Sequence, residues 1–252
     1  MYHDVVDGDA DRSGFPGRDA ALYKVTSDAF EEHLRALCET TTPHPALTFD
    51  DGGVSAMQAA AMLERHGLAG HFFVTTNFIG TPGFLDAEQI RALHARGHVV
   101  GSHSCSHPLR MGHCSWAQLL DEWTRSRTAL EGILGCEVRC ASVPGGDFAP
   151  SVAEAAARAG LTDLFTSEPT ATVRHAFGVQ LHGRFTIQRW TTAETVRGLA
   201  AGDWLPRARQ AVVWNAKKLT KQIGGAGYLR IRKLLIGHGN DVQWGDTTRA
   251  KG

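Results

Sequence analysis

Apolar positions along the chain follow two alternating patterns. Short runs of strand character are separated by longer stretches in which apolar residues return every three or four positions. Phe30, Leu34 and Leu37 share one helical face behind the potential caps Thr26, Ser27 and Asp28. Ala46 to Phe49 reads as a buried strand, and Ser55 to His66 as a helix with Met57, Ala60, Ala61 and Leu63 as its apolar stripe, ended by Gly67. The alternation continues through a strand at Gly70 to Val74, a helix from the Asp86 cap to Arg96, and a strand at His98 to Gly101. A long helix over roughly Ser115 to Leu134 carries Trp116, Leu119, Leu120, Trp123 and Leu130. Strands at Glu137 to Val143, Asp163 to Thr166 and within Val179 to Ile187 follow, with an Ala-rich helix at Ser151 to Ala159.

Strand and helix alternating at short intervals predict an α/β fold of parallel β/α units. Periodicity alone leaves a barrel and a doubly wound sheet both open. In either, functional side chains gather at the C-terminal ends of the strands. The ends of the chain differ from its middle. Residues 1–20 are rich in Asp and Gly and predict a disordered N-terminal segment. From Leu205 to Asn240 there is no Asp or Glu, while Arg207, Arg209, Lys217, Lys218, Lys221, Arg230, Arg232 and Lys233 are basic; helices are expected at Ala211 to Ile223 and Tyr228 to Ile236. The expected division is a segment 1–20, a main domain 21–190 and a basic helical C-terminal extension 191–252.

Composition narrows the function classes. The 252 residues carry 26 Lys and Arg against 26 Asp and Glu, so no global field attracts nucleic acid. The five cysteines, Cys38, Cys105, Cys114, Cys136 and Cys140, form no CxxC pair and are expected as reduced thiols of a cytoplasmic protein. The N-terminal stretch lacks the apolar region of a signal peptide, and no apolar run approaches a membrane span. Contact with an anionic membrane or a lipid-linked sugar is therefore expected only peripherally, through the basic extension.

Three motifs stand at strand ends. Leu47-Thr48-Phe49-Asp50-Asp51-Gly52-Gly53 delivers two carboxylates to the rim of the fold, where charge is costly unless a cation or a reaction uses it. Adjacent side chains point apart, so the two acids need not share a role. Taken alone, the motif also reads as a turn. His103-Ser104-Cys105-Ser106-His107 sets two imidazoles at i and i+4, on one side of a helical turn and within reach of one metal ion. Taken alone, these are equally two surface histidines, and Cys105, Cys114 and His113 offer a structural zinc site as an alternative. Pro144-Gly145-Gly146 allows close approach of the backbone to a ligand. Leu181-His182-Gly183-Arg184 sets a His and an Arg on a later strand.

Thr48-Phe49-Asp50-Asp51-Gly52 followed by His103-Ser104-Cys105-Ser106-His107 resembles the first two motifs of the polysaccharide deacetylase family, the NodB-homology or carbohydrate esterase 4 group, over roughly Ala46 to Ile187. The resemblance implies a distorted (β/α) barrel of about seven strands and a hydrolase that removes N-acetyl groups from an amino-sugar poly- or oligosaccharide or its precursor, as in exopolysaccharide biosynthesis. It implies a divalent metal, usually zinc, held by Asp51, His103 and His107. Asp50 is then the general base, the backbone around Pro144, Gly145 and Gly146 the oxyanion site, and His182 the expected general acid. The third motif usually carries an Arg before its proline. Here the run is Cys140-Ala141-Ser142-Val143-Pro144, and Arg184 is the expected substitute that orients Asp50. Two alternatives remain beside this reading: a carbohydrate-binding relative without turnover, and a hydrolase of another non-peptide C–N bond.

Overall fold

The computed structural model of the chain describes residues 1–40 and 44–216. Two short strands, β1 (Asp4–Val5) and β2 (Lys24–Val25), pair in parallel, with α1 (Arg18–Ala21) between them. After α2 (Ser27–Cys38) the main sheet begins. β3 (Leu47–Phe49), β4 (Gly70–Val74), β5 (Val99–Ser102), β6 (Cys140–Ser142) and β7 (Asp163–Phe165) pair in chain order, all in parallel. A hairpin, β8 (Val173–Ala176) and β9 (Val179–His182), completes the seven strands, β9 parallel to β7 and β8 antiparallel at the edge.

The crossovers are α3 (Ala56–Arg65), α4 (Ala87–Ala95), α5 (Trp116–Leu134) and α6 (Pro150–Arg158). Their caps explain where they start and stop. Asp86 and Ser115 each close a capping box with the Gln three residues on, and Gly135 ends α5 in the left-handed region at φ 70°. One apolar cluster packs Phe49, Phe72 and Leu63 with Phe30 and Leu34 of α2; a second packs Trp123 of α5 and Val152 of α6 against Leu164 and Leu181. Among the described residues no helix is long and apolar enough to cross a membrane. The sequence pattern missed β8, because an edge strand with Val173, Arg174 and His175 exposed has no buried face to betray it. Phe177 and Gly178, both at positive φ, make its two-residue turn.

The expected disorder of residues 1–20 is corrected. Tyr2 and Val5 are core residues. The Tyr2 N–H donates to the Thr48 carbonyl and its own carbonyl accepts from Asp50, extending the sheet one strand beyond β3. On the other side Met1 donates to the Phe185 carbonyl and accepts from the Ile187 N–H. The first residues thus fill the gap between the two ends of the curled sheet. Lys24, 5% exposed, donates to the carbonyls of Ala10, Ser13 and Phe15 and ties down the loop that follows. Asp and Gly in this loop serve buried hydrogen bonds and tight turns rather than solvation: Asp4 accepts from Ser13 and Ser55, and Gly14 and Gly17 take positive φ.

The expected boundary at residue 190 is corrected as well. Val196 and Leu199 of α7 (Ala193–Ala201) belong to the first apolar cluster, where α7 packs on α2. Residues 204–216 form a further helix, α8, anchored by Gln210 to both backbone groups of Thr186 and by Arg207 over the Phe185 ring. The expected helix at Tyr228 to Ile236, and that at Ala211 to Ile223 beyond residue 216, lie outside the described residues.

Candidate active site

The C-terminal ends of β3, β5 and β6 meet at one point. At the end of β3 the backbone turns through the left-handed region at Asp51 (φ 76°) and Gly52 (φ 82°). Asp tolerates this conformation, and at Gly52 a Cβ would lie 3.1 Å from the Val74 backbone, so only glycine fits without movement. The turn sends the two neighbouring carboxylates to different partners. Both are buried.

Asp51 faces the histidines. Its Oδ1 lies 3.3 Å from His103 Nε2 and 3.5 Å from His107 Nε2, and one ligand atom from each residue falls within 4.8 Å of the others. Burial alone would raise the Asp51 carboxyl; hydrogen bonds from His103 and His107 outweigh it and hold the group well below the ordinary carboxylate range. His103 Nδ1 lies 2.5 Å from Ser142 Oγ and 3.1 Å from the Ser142 carbonyl. The carbonyl can only accept, and Ser142 Oγ donates its own proton to Asp50 Oδ1 at 3.1 Å, so Nδ1 carries the imidazole proton. Nε2 faces Asp51, where a bound cation would take the place of the proton shared between them. Two imidazole nitrogens and one carboxylate, with further coordination positions open, fit a divalent cation of the catalytic type. Among the described residues this is the one group of three side chains so arranged. Cys105 and Cys114 do not join His113 in a second one: the Cys105 thiol donates to Asn77 Oδ1, and burial pushes both thiols upward.

Asp50 faces Arg184. The guanidinium bonds both carboxylate oxygens, NH1 to Oδ1 at 2.7 Å and NH2 to Oδ2 at 2.8 Å. Its Nε donates to the Thr166 carbonyl, and NH1 also reaches Thr48 Oγ1. Burial would raise the Asp50 carboxyl, but Arg184 and then His103 bring it down to about 2. Arg184 is 5% exposed and lies beside the Phe73 and Phe165 rings. Ser142, in the run Cys140 to Pro144, thus links Asp50 to His103, and the guanidinium paired with Asp50 comes from the segment after β9.

Other predicted site residues are distributed differently. Pro144–Gly146 form a tight turn directly after Val143, with Gly145 (φ 61°) against the Leu109 backbone. His182 is not brought to this group: its Nε2 pairs with Asp163 Oδ1 at 2.9 Å, at the opening residue of β7, while its ring stacks on Phe165. Two residues near the site had no signal in the sequence. His3, directly after the closing residue Tyr2, packs tilted against Tyr23 at 4.8 Å, and its buried Nδ1 has no hydrogen-bond partner. Burial lowers its imidazole pKa, while Asp51 and Asp50 act in the opposite direction. Phe15, from the same N-terminal stretch, lies 4.8 Å from the His107 ring and packs edge-on against Phe78 and Phe84. Only Tyr2, Val5, Val6 and Phe15, β-formers among acids and glycines, could have hinted that this stretch is structured.

A curled, largely parallel α/β sheet of seven strands is the fold of the NodB-like deacetylases. A family profile described as polysaccharide deacetylase matches residues 39–164, half of the chain, and the chain belongs to that family. YxkH of Bacillus subtilis (strain 168), named provisionally as a polysaccharide deacetylase, is 24% identical over 226 residues, covering 81% of this chain and 74% of its own. Among solved structures, BC0361, a polysaccharide deacetylase from Bacillus cereus, superposes with a TM-score of 0.68 at 20% identity over 79% of this chain and 67% of that one. IcaB from Ammonifex degensii gives 0.60 at 22% identity over 79% and 94%. The Streptococcus pyogenes deacetylase PplD, solved with acetate, gives 0.60 at 19% over 79% and 96%. At these identities the structures speak for the fold.

Proposed function

We propose that the chain is a divalent-metal-dependent hydrolase that removes N-acetyl groups from an amino-sugar-containing saccharide. The observation that carries this reading is the convergence of Asp51, His103 and His107 beside a separately held carboxylate, Asp50. These three residues would hold the ion, with zinc favoured by the two imidazoles and one carboxylate. When bound, the ion would polarise the acetamide carbonyl and acidify a water molecule. The chain's own residues do the rest. Asp50 receives the proton of the attacking water. With its carboxyl at about 2 it stays ionised at every working pH, and its fixed position matters more than its basicity. Arg184 and Ser142 hold that position. Backbone N–H groups of the Pro144–Gly146 turn supply the oxyanion donors. His3, whose buried Nδ1 has no partner, would relay to the departing amine the proton that Asp50 takes from the water, the part expected of His182. Phe15 offers an apolar wall for the sugar or its acetyl methyl beside His107.

The test is metal analysis of the purified chain together with acetate release from N-acetylglucosamine oligomers. We expect about one ion per chain, lost in Asp51→Ala and His107→Ala, and acetate formed by the parent alone. Stoichiometric metal in both variants would sink the ligand assignment. Bound metal without acetate from any acetylated sugar would instead support a binding protein, and release from small amides or imides only would indicate another C–N bond.

A further inference from the structure

The loop that carries His107 has an unusual backbone. Ser104 (φ 63°) and His107 (φ 58°) both occupy the left-handed region, which is unfavourable for a non-glycine residue. Something must hold the loop in this shape, and its hydrogen bonds can be followed one by one. The His103 N–H donates to the Val74 carbonyl and the Ser104 N–H to Ser102 Oγ. The carbonyls of Ser104 and Cys105 accept from Thr76 and Asn77, and the His107 N–H donates to Ser104 Oγ. The two remaining N–H groups, on Cys105 and Ser106, both donate to Glu122 Oε2 at 2.8 Å, and Ser106 Oγ donates to Glu122 Oε1 at 2.5 Å. Consecutive N–H groups pointing one way form an anion-binding concavity. Here the anion comes from α5, the next helix in the chain.

The helix is well fixed for this task. Trp123, adjacent to Glu122, is fully buried and donates its Nε1–H to the Val152 carbonyl. Ser126, one turn along from Glu122, shares a hydrogen bond with Ser102 at the end of β5. α5 therefore grips both the strand that ends in His103 and the loop that ends in His107.

We propose that Glu122 is a positioning residue for the metal centre: by binding the Cys105 and Ser106 N–H groups it keeps the loop in the strained conformation that aims His107 Nε2 at Asp51. The inference rests on the metal-hydrolase reading above. Without the carboxylate the two amides turn to water, and the loop relaxes out of the left-handed region, taking His107 out of register with Asp51 and His103.

The test uses the full chain and measures Zn2+ affinity by chelator competition and the visible spectrum of the Co2+-loaded protein. Glu122→Ala is expected to raise the Zn2+ dissociation constant about 10- to 100-fold and to change the Co2+ bands. Glu122→Gln, which keeps an acceptor, is expected to recover most of the affinity. Arg127→Ala, on the same helix, removes bonds to the Val138 and Ala159 carbonyls far from the loop; it is expected to lower thermal stability and leave both metal readouts alone. Should Glu122→Ala fail to fold, Ser106→Ala, which removes only the Oγ bond to Glu122, replaces it with a smaller expected loss. A folded Glu122→Ala protein with the parent's affinity and spectrum overturns the proposal, as does an equal loss of affinity in Arg127→Ala. A parent that binds neither ion overturns the functional reading and this inference with it; a parent that binds both, beside an unaffected Glu122→Ala, overturns this inference alone.

Discussion

Asp50 and Asp51 are chain neighbours with different counter-groups, and that difference assigns them different work. Asp51 faces the imidazoles of His103 and His107, a set that a cation would complete. Asp50 is already matched by Arg184 through two hydrogen bonds. A buried pair of this kind is costly to break from one side. Arg184→Met is expected to destabilise the fold by about 3–5 kcal/mol, because it leaves a carboxylate buried and unpaired. Arg184→Lys retains the charge but not the fork, and is expected to lower kcat more than stability; urea unfolding and acetate-release kinetics on the two variants check both statements. The same pair sets a pH dependence. The Asp50 carboxyl falls from the ordinary 3.8 to about 2 on folding, so its stabilisation is complete above about pH 4 and is lost as pH falls through 2. That is worth about 2 kcal/mol. In the metal-free chain, the stability gap between parent and Asp50→Asn should therefore narrow by more than half of this amount between pH 6 and pH 2.5, and a constant gap would contradict the assignment. The motifs Asp50-Asp51 and His103-x-x-x-His107 were legible because each is local in sequence. Arg184 could be named only as a substitute for an absent Arg. His3 had no local signature at all, since its position is created by pairing with residues about 45 and 180 positions away.

At the scale of elements, the sequence pattern predicts strands and helices where burial is one-sided or complete, and fails where pairing is long-range. The helices are marked by stripes such as Phe30, Leu34 and Leu37, and by caps such as Asp86 and Gly135. The N-terminal strand is not marked, because Tyr2 is held by the backbones of Thr48, Asp50, Phe185 and Ile187 through its own peptide groups and those of Met1. Hydrogen bonds between distant backbones leave no trace in composition. The element has a double role: it fills the gap between the sheet's two ends, and it brings His3 and Phe15 to the site. The two roles separate by mutation. His3→Ala is expected to cost about 10²- to 10⁴-fold in kcat while leaving the fold and the bound metal in place. His182→Ala is expected to change kcat little, since its imidazole is engaged with Asp163. Tyr2→Ala removes a ring packed against Phe30 and Phe49 and is expected to cost about 3–5 kcal/mol, with activity lost only as the folded fraction falls. Equal kcat in His3→Ala and the parent would remove His3 from the chemistry.

For the molecule as a whole, the site is assembled from segments spread along most of the chain, and the stretch matched by the family profile does not hold it alone. The family profile ends at residue 164, and residues 39–164 already contain Asp50, Asp51, His103, His107 and Ser142. Even so, that stretch lacks Arg184, which neutralises Asp50, and the 185–187 segment on which Met1 closes. It also lacks α7, whose Val196 and Leu199 complete the cluster over Phe30 and Leu34. A chain ending at residue 180 would thus expose that cluster, leave Asp50 buried without its counter-ion and leave the Met1 backbone without partners. Burial lost on this scale, added to an unpaired buried charge, exceeds the ~5–15 kcal/mol net stability of an ordinary domain. Residues 1–180 are therefore expected to lack a cooperative unfolding transition and to bind metal no better than the unfolded chain, although every metal ligand is present. Residues 1–216 keep each contact named here, including the Gln210 bonds to Thr186 and the Arg207 contact with Phe185. This longer piece is expected to unfold cooperatively and to match the full chain in metal affinity. Circular dichroism melts and chelator competition on the two truncations decide the matter. A folded, metal-binding 1–180 piece would mean that the centre needs only its local motifs, and that the closure through Met1, Arg184 and α7 adds nothing essential to it.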